Sequence, residues 1–174
     1  ELKYAVELKD YELEYFIKPG EEDKYFTEWA DFMENFLIND LGLKKENLRR
    51  YEHPKNSLAH YSKGTIDFEY KYPWGWEELW GLAYRKDFDL AQHSKFLGQE
   101  LTYYDEETKE KIMPHVVEPS FGLERTMLAV LLSAYHEDGD RVVLKLKPKL
   151  APYKVAVFPL VANKPTLVDK ARDI

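Results

Sequence analysis

Hydrophobic and polar positions change period several times along the chain, and each change marks an element. Tyr11 to Lys18 alternates acidic and apolar residues up to Pro19-Gly20, the period-2 pattern of a strand with one buried face that ends in a turn. Glu12 and Glu14 then project from the same side of that strand. From Glu21 the period becomes helical. Phe26, Trp29, Met33, Phe36 and Leu37 fall on one face, Glu21 to Asp23 occupy the first turn, and Gly42 offers a C-terminal stop. Burying those side chains at ~1.5–3 kcal/mol each anchors such a helix to a sheet.

Asn47 to His53 predicts a short strand and Pro54 to Ser57 a loop. Thr65 to Tyr72 and Glu77 to Arg85 are β-rich segments on either side of Pro73-Trp74-Gly75-Trp76, which predicts an antiparallel hairpin or meander. Lys86 to Leu97 reads as a short helix. Leu101 to Tyr104 and Ile112 to Val117 flank the polar run Asp105 to Lys111, a hairpin with an exposed tip. Phe121 to Tyr135 is apolar on most sides, which predicts a buried helix. Arg141 to Lys147 alternates into a further strand, Pro148 to Pro152 breaks it, and Tyr153 to Val161 begins another. Antiparallel strands with a few packed helices, rather than alternating βαβ units, give an α+β fold class.

Composition narrows the function. At 174 residues the chain is close to the ~150 that one domain averages. A formal net charge of −7 provides no global basic field, so any nucleic-acid partner is held locally or by parts outside this chain. The absence of cysteine excludes disulfides, thiol catalysis and Cys-ligated metal within the chain. No run approaches the ~20 apolar residues of a membrane span, and the N-terminus lacks a signal-peptide plan, so the expectation is a soluble, cytoplasmic protein with no membrane partner. The first residue is Glu, and the chain ends soon after the apolar run Phe158-Pro159-Leu160-Val161, which reads as a piece of something longer.

The stretch richest in chemistry is Val116-Val117-Glu118-Pro119-Ser120-Phe121-Gly122-Leu123-Glu124-Arg125. There a strand delivers a carboxylate and a hydroxyl to the start of a helix, whose free N–H groups favour anions. Arg125, one turn in, carries a permanent charge suited to a polyphosphate or a base. The structural alternative makes Ser120 an N-cap, Glu124 its capping-box partner and Arg125 a solvated residue. A second candidate is Glu78 with Arg85, Asp87, Asp89 and His93. Period 2 places Glu78 on the face of Trp80 and Leu82, where an acidic residue is costly unless it binds a cation or a donor. Alternatively Glu78 ends a strand, Arg85 pairs with Asp87 or Asp89 on the surface, and His93 is a loop histidine bonded to a backbone carbonyl. There is no P-loop, dinucleotide loop, His-Glu-x-x-His or Gly-x-Ser-x-Gly.

Together these segments resemble the catalytic domain of the homodimeric glycyl-tRNA synthetases, class II aminoacyl-tRNA synthetases. Glu12-Leu13-Glu14-Tyr15-Phe16-Ile17-Lys18-Pro19-Gly20 is similar to the strand after motif 2. Ala59-His60-Tyr61, Glu78-Leu79-Trp80-Gly81 and Arg85-Lys86-Asp87-Phe88-Asp89-Leu90 with His93 are similar to the central segment. Glu118 to Arg125 is similar to motif 3, and Leu150 to Val161 to the crossing into the anticodon-binding domain.

The resemblance implies an antiparallel sheet with flanking helices that activates glycine with ATP to glycyl-adenylate and transfers it to tRNA-Gly. It implies that Glu12 and Glu118 hold the α-amino group, and that Pro119, Ser120, Phe121 and Gly122 close a pocket too small for a side chain. By the same resemblance Glu78, Leu79, Gly122, Leu123, Glu124 and Arg125 would line the ATP site, Glu78 through Mg2+, with Arg85 in support, residues 1–150 would form a partial catalytic core, and 151–174 would begin a truncated anticodon-binding domain. Motif 1, which builds the family's homodimer, has no counterpart. Nor has the motif 2 arginine: no arginine precedes Arg49, and the aligned stretch is Lys3-Tyr4-Ala5-Val6-Glu7-Leu8. The expectation is therefore a catalytic-domain portion of a glycine–tRNA ligase, weak or inactive alone. The alternative is a non-catalytic synthetase-like module that binds nucleic acid or a protein.

Overall fold

A computed structural model describes residues 10–54 and 64–174. The Ala59-His60-Tyr61 resemblance, the loop expected after Pro54 and the stretch Lys3 to Leu8 lie outside the described residues. In chain order the elements are β1 (Asp10–Glu12), β2 (Tyr15–Ile17), α1 (Glu22–Asn35, extended by a π-turn at Phe36–Asp40), β3 (Leu48–Glu52), β4 (Gly64–Tyr72), β5 (Gly75–Lys86), α2 (Phe88–Leu97), β6 (Tyr103–Tyr104), β7 (Lys111–Ile112), β8 (His115–Gly122), α3 (Leu123–Ala134), β9 (Tyr135–Asp138), β10 (Arg141–Leu144) and α4 (Pro165–Arg172).

The main sheet runs β1/β2-β8-β5-β4-β3, every pair antiparallel. Its α+β class is as the strand order predicted. β8, delivered late in the chain, inserts between the N-terminal strands and β5, and so brings Glu12 opposite Ser120.

One face of this sheet is covered by helices. Met33 and Leu37 of the α1 segment are fully buried against Phe68, Leu82 and Val117 in a single core cluster, as the helical period required. Phe36 stacks on Trp80 at 6.0 Å. Helix α3 lies against β4 and β8, pinned by polar contacts: the Trp80 indole N–H donates to Thr126 Oγ1 at 2.7 Å, and Tyr70 and Ser133 hydroxyls are 2.8 Å apart. At the sheet end, Glu22 meets His115 Nδ1 at 2.6 Å, with the Tyr84 hydroxyl 2.9 Å from the same nitrogen. Burial works against the Glu22 charge. Even so, the N–H groups of Gly20 and of Glu22 itself, with Tyr84 and His115, outweigh it and bring its pKa down to about 2.

Four expectations are corrected. The N-terminal strand is broken at Leu13-Glu14 into β1 and β2, although Leu13 N–H still donates to Pro119 O at 2.9 Å. Helix α3 is not buried all round: Leu123, Met127 and Leu128 are exposed, because the sheet covers one side of it. His93 sits in helix α2, exposed, rather than in a loop. Residues 151–161 form no strand. Tyr153, Val155, Phe158 and Leu160 remain exposed, as apolar strand residues do when no neighbouring strand accepts their backbone bonds. β9 escaped the sequence reading because its Tyr-His-Glu-Asp run has no apolar period and is ordered by pairing with β10.

Candidate active site

The other face of the sheet gathers the polar residues, and the strand registers decide which ones. Gly81 of β5 stands opposite Ser120 of β8, Ala83 opposite Glu118, and Glu12 opposite Ser120. Tyr15 pairs with Val117, in the same register as Glu12 with Ser120, so Glu14 faces Glu118. One patch therefore carries Glu12, Glu14, Glu118 and Ser120 over Gly81 and Ala83. Position 81 has no room for a side chain without a shift: a Cβ there would lie 2.7 Å from Ser120 Oγ. This close approach makes a tight floor.

Two bulges in β5 aim the remaining side chains. Phe68 pairs with Trp80, yet Glu69 pairs with Glu78, leaving Leu79 as an extra residue. Leu79 and Trp80 are both buried in the core. Glu78 is thereby turned to the opposite face, where its Oε1 lies 3.4 Å from the position of a Gly81 Cβ. This corrects the period-2 expectation that Glu78 shares a face with Trp80 and Leu82; a one-residue bulge reverses the alternation. Glu78 is exposed and is not an acidic residue trapped among apolar ones.

The second bulge is at Arg85. Tyr84 pairs with Val117 and Lys86 with Val116, and Lys86 takes φ 58°, a left-handed conformation that non-glycine residues rarely adopt. The guanidinium reaches Glu118 Oε1 at 3.1 Å and forks onto Asp89 of α2 at 2.6 and 3.1 Å. Arg85 is thus partly buried and joins two elements, where the structural alternative had it pairing only at the surface.

Glu118 is 7% exposed, the most consequential acidic group of the face. Burial pushes its pKa up, Arg85 pulls it down, and a hydrogen bond and charge repulsion from Glu14, with the charge of Glu12, push it up again, to about 7. Glu118 therefore keeps its own proton up to about neutral pH unless a cation sits beside it.

The motif 3 run continues from this patch into α3. Ser120 is within β8, and the N-cap position of α3 is Gly122, with no side-chain cap. The expected Ser120 cap with Glu124 as its capping-box partner is not formed, because the strand extends to Gly122 and keeps Ser120 in the sheet. Pro119 is fully buried, and the Phe121 ring packs edge-on against Trp80 at 4.7 Å, so the pocket wall is braced from behind. Leu123 and Glu124 open the helix, and Arg125 donates from Nη1 to the Glu78 carbonyl at 3.0 Å. Arg125 and Glu78, far apart in sequence, are thus brought together at one end of the patch. Glu14 was missed as a site residue, and Asp89 was read only as a surface partner of Arg85. Glu14's alternation with Glu12 was the signal for the first; for the second, the i,i+4 spacing gave the pairing with Arg85 but not its reach to Glu118.

A six-stranded antiparallel sheet with helices on one face and this polar patch on the other has the fold of a class II aminoacyl-tRNA synthetase catalytic domain. The solved prolyl-tRNA synthetase of Giardia lamblia, in complex with prolyl-adenylate, superposes over 96% of this chain and 30% of its own, with TM-score 0.64 and 14% identity. Within that class, sequence similarity points to the glycine enzymes. The chain is homologous to part of the glycine–tRNA ligase of Alkaliphilus oremlandii, 51% identical over 173 residues, covering 97% of this chain and 37% of the relative. The ligases of Clostridium tetani (49% identical, 36% of the relative) and Thermobifida fusca (46%, 38% of the relative) match over the same 97% of the chain. The chain therefore spans a little over a third of the length of these curated relatives. No protein-family model matches it. Among the described residues no helix is long and apolar enough to cross a membrane.

Proposed function

We propose that this chain is the motif 3 portion of a glycine–tRNA ligase catalytic domain, which binds glycine and ATP, forms glycyl-adenylate and, in the whole protein, passes glycine to tRNA-Gly. The observation that carries the reading is the buried Glu118 carboxyl beside the Gly81–Ser120 floor. Glycine has no side chain to grip, so selection rests on reading its ammonium group and excluding anything attached to the α-carbon. Glu118 and Glu12 supply the first element. Pro119, Ser120, Phe121 and Gly122, braced against Trp80 and Gly81, supply the second.

Activation joins the glycine carboxylate to the ATP α-phosphorus and expels pyrophosphate. That displacement needs positioning and charge neutralisation rather than a covalent nucleophile. In this reading the N–H groups at Gly122 and Leu123 and the Arg125 guanidinium face the nucleotide, with Glu78, Leu79 and Glu124 lining its site and Arg85 in support. Mg2+ fits the donor chemistry in one way only. Among the described residues no group of three candidate ligands exists, but magnesium carried by phosphates needs only one or two carboxylates, and exposed Glu78 provides one. When bound, the ion would screen phosphate charge. A homodimer formed through surfaces outside this segment, a cytoplasmic location, and an anticodon-binding domain beginning near residue 151 belong to the same reading.

The test is a segment exchange. Residues 10–161 replace their counterpart in the Alkaliphilus oremlandii relative, and glycine-dependent ATP–pyrophosphate exchange is measured. Retained exchange supports the reading. A folded chimera without exchange contradicts it and favours a non-catalytic binding module.

A further inference from the structure

We infer that Arg85 is a positioning residue of this site: held by Asp89, its guanidinium fixes the buried Glu118 carboxyl where a primary ammonium group can pair with it. This rests on the glycine-binding reading above and deepens it. The geometry that carries it is the bulge at Arg85, the left-handed Lys86 beside it and the fork onto Asp89 with the remaining nitrogen on Glu118. A regular strand would not need a strained residue at position 86. Here the strain is retained where it turns one guanidinium onto two carboxylates.

The charged groups around Glu118 come from every element packed against it. Glu12 and Glu14 belong to the edge strands and raise its proton affinity, whereas Arg85 of β5 lowers it. From α2, Asp89 binds Arg85, and the nearby His93 favours the Asp89 charge. Glu78 occupies the far end of the patch beside Gly81. Arg85 is the cation that opposes the acidic groups at Glu118. When glycine binds, its ammonium takes the place of the proton on Glu118, which leaves to water, and the Glu118 carboxylate faces a cation.

The experiment uses the 174-residue chain with 13C at the glutamate carboxyl carbons, the Glu118 signal being assigned by its loss in Glu118→Gln. Its titration midpoint is read by NMR in the unchanged protein and in Arg85→Gln, Arg85→Lys and Asp89→Ala. The expected result is a midpoint raised by about one pH unit or more in Arg85→Gln, raised less in Asp89→Ala, where the guanidinium is present but unheld, and largely restored in Arg85→Lys. If Arg85→Gln does not fold, Asp89→Ala and Arg85→Lys are read in the same way. A Glu118 midpoint unchanged by Arg85→Gln, or lowered by Asp89→Ala, overturns the inference. A second arm adds glycine at pH 6 and pH 9. Arg85→Gln should bind it about tenfold more weakly than the unchanged chain at pH 6 and no more weakly at pH 9. If the midpoints move as expected but glycine perturbs nothing in any variant, Arg85 still governs Glu118, and it is the glycine reading that fails.

Discussion

Gly81 and Ser120 face each other across β5 and β8 so closely that a single methyl group on Gly81 would sit 2.7 Å from Ser120 Oγ. The two residues form the floor of the patch, and their fit is mutual. Gly81→Ala should destabilise the chain by about 1–3 kcal/mol through this overlap, with most of the loss recovered in Gly81→Ala/Ser120→Ala. Urea denaturation of both singles and the double gives the coupling energy. Strictly additive losses would mean that the floor relaxes elsewhere.

Glu118 makes stability fall with rising pH. Its folded pKa of about 7 exceeds the ordinary carboxylate value of 4.5, so between those values the folded chain holds a proton that the unfolded chain has released. Stability therefore declines from the unfolded pKa up to the folded one and levels off above it. Glu118→Gln should flatten that decline, and the variant should gain on the unchanged protein as pH passes from 5 to 7. Denaturation midpoints across this range decide the matter; parallel curves would show that Glu118 carries no excess proton.

Glu22 works with the opposite sign. Its folded pKa of about 2 lies below the ordinary 4.5, so its charge stabilises the fold fully above the unfolded value, and that contribution is lost as pH falls toward the folded one. Glu22→Gln should cost on the order of 1–3 kcal/mol at pH 7, with the two proteins converging near pH 2. A constant difference over the whole acid range would assign the loss to packing instead.

The main-sheet strands, the helix α1 packed on them and the acidic face were legible from period, because burial on one side writes alternation into a strand and a stripe into a helix. The helix at Glu22–Asn35 and the hairpin around Pro73-Trp74 are examples. What period cannot convey is an interruption of period. The bulge at Leu79, inside the β4–β5 hairpin, moved Glu78 to the other face, and the one at Arg85, set by pairing with the distant β8, sent that side chain inward to Glu118. Ser120 was misread as a possible cap for the same reason, since only the partner residues Gly81 and Glu12 keep it in the sheet. The link between Glu14 and Glu118 likewise exists only once β8 has inserted beside the N-terminal strands.

Alone, the chain should activate glycine poorly. Arg85 is committed to Glu118 and Asp89, and Arg125 rests on the Glu78 carbonyl, so neither is placed to grip an α-phosphate between them. One missing electrostatic contact of that kind costs roughly 10²–10³ in rate. Glycine-dependent ATP–pyrophosphate exchange by the isolated chain should lie near background; turnover comparable to that of a whole ligase would mean that another cation fills the role.

The central claim, that Glu118 and the Gly81–Ser120 floor read glycine, is tested most directly by calorimetry with a non-hydrolysable glycyl-adenylate analogue and its alanyl counterpart. The 174-residue chain should bind the glycyl compound and discriminate against the alanyl one by about tenfold or more. Glu118→Gln, which keeps the shape and removes the charge, should weaken the glycyl compound by about 10–100-fold while leaving ATP affinity within a few-fold. Equal affinity for the two analogues, or a Glu118→Gln variant that binds the glycyl compound as tightly as the unchanged chain, would contradict the account.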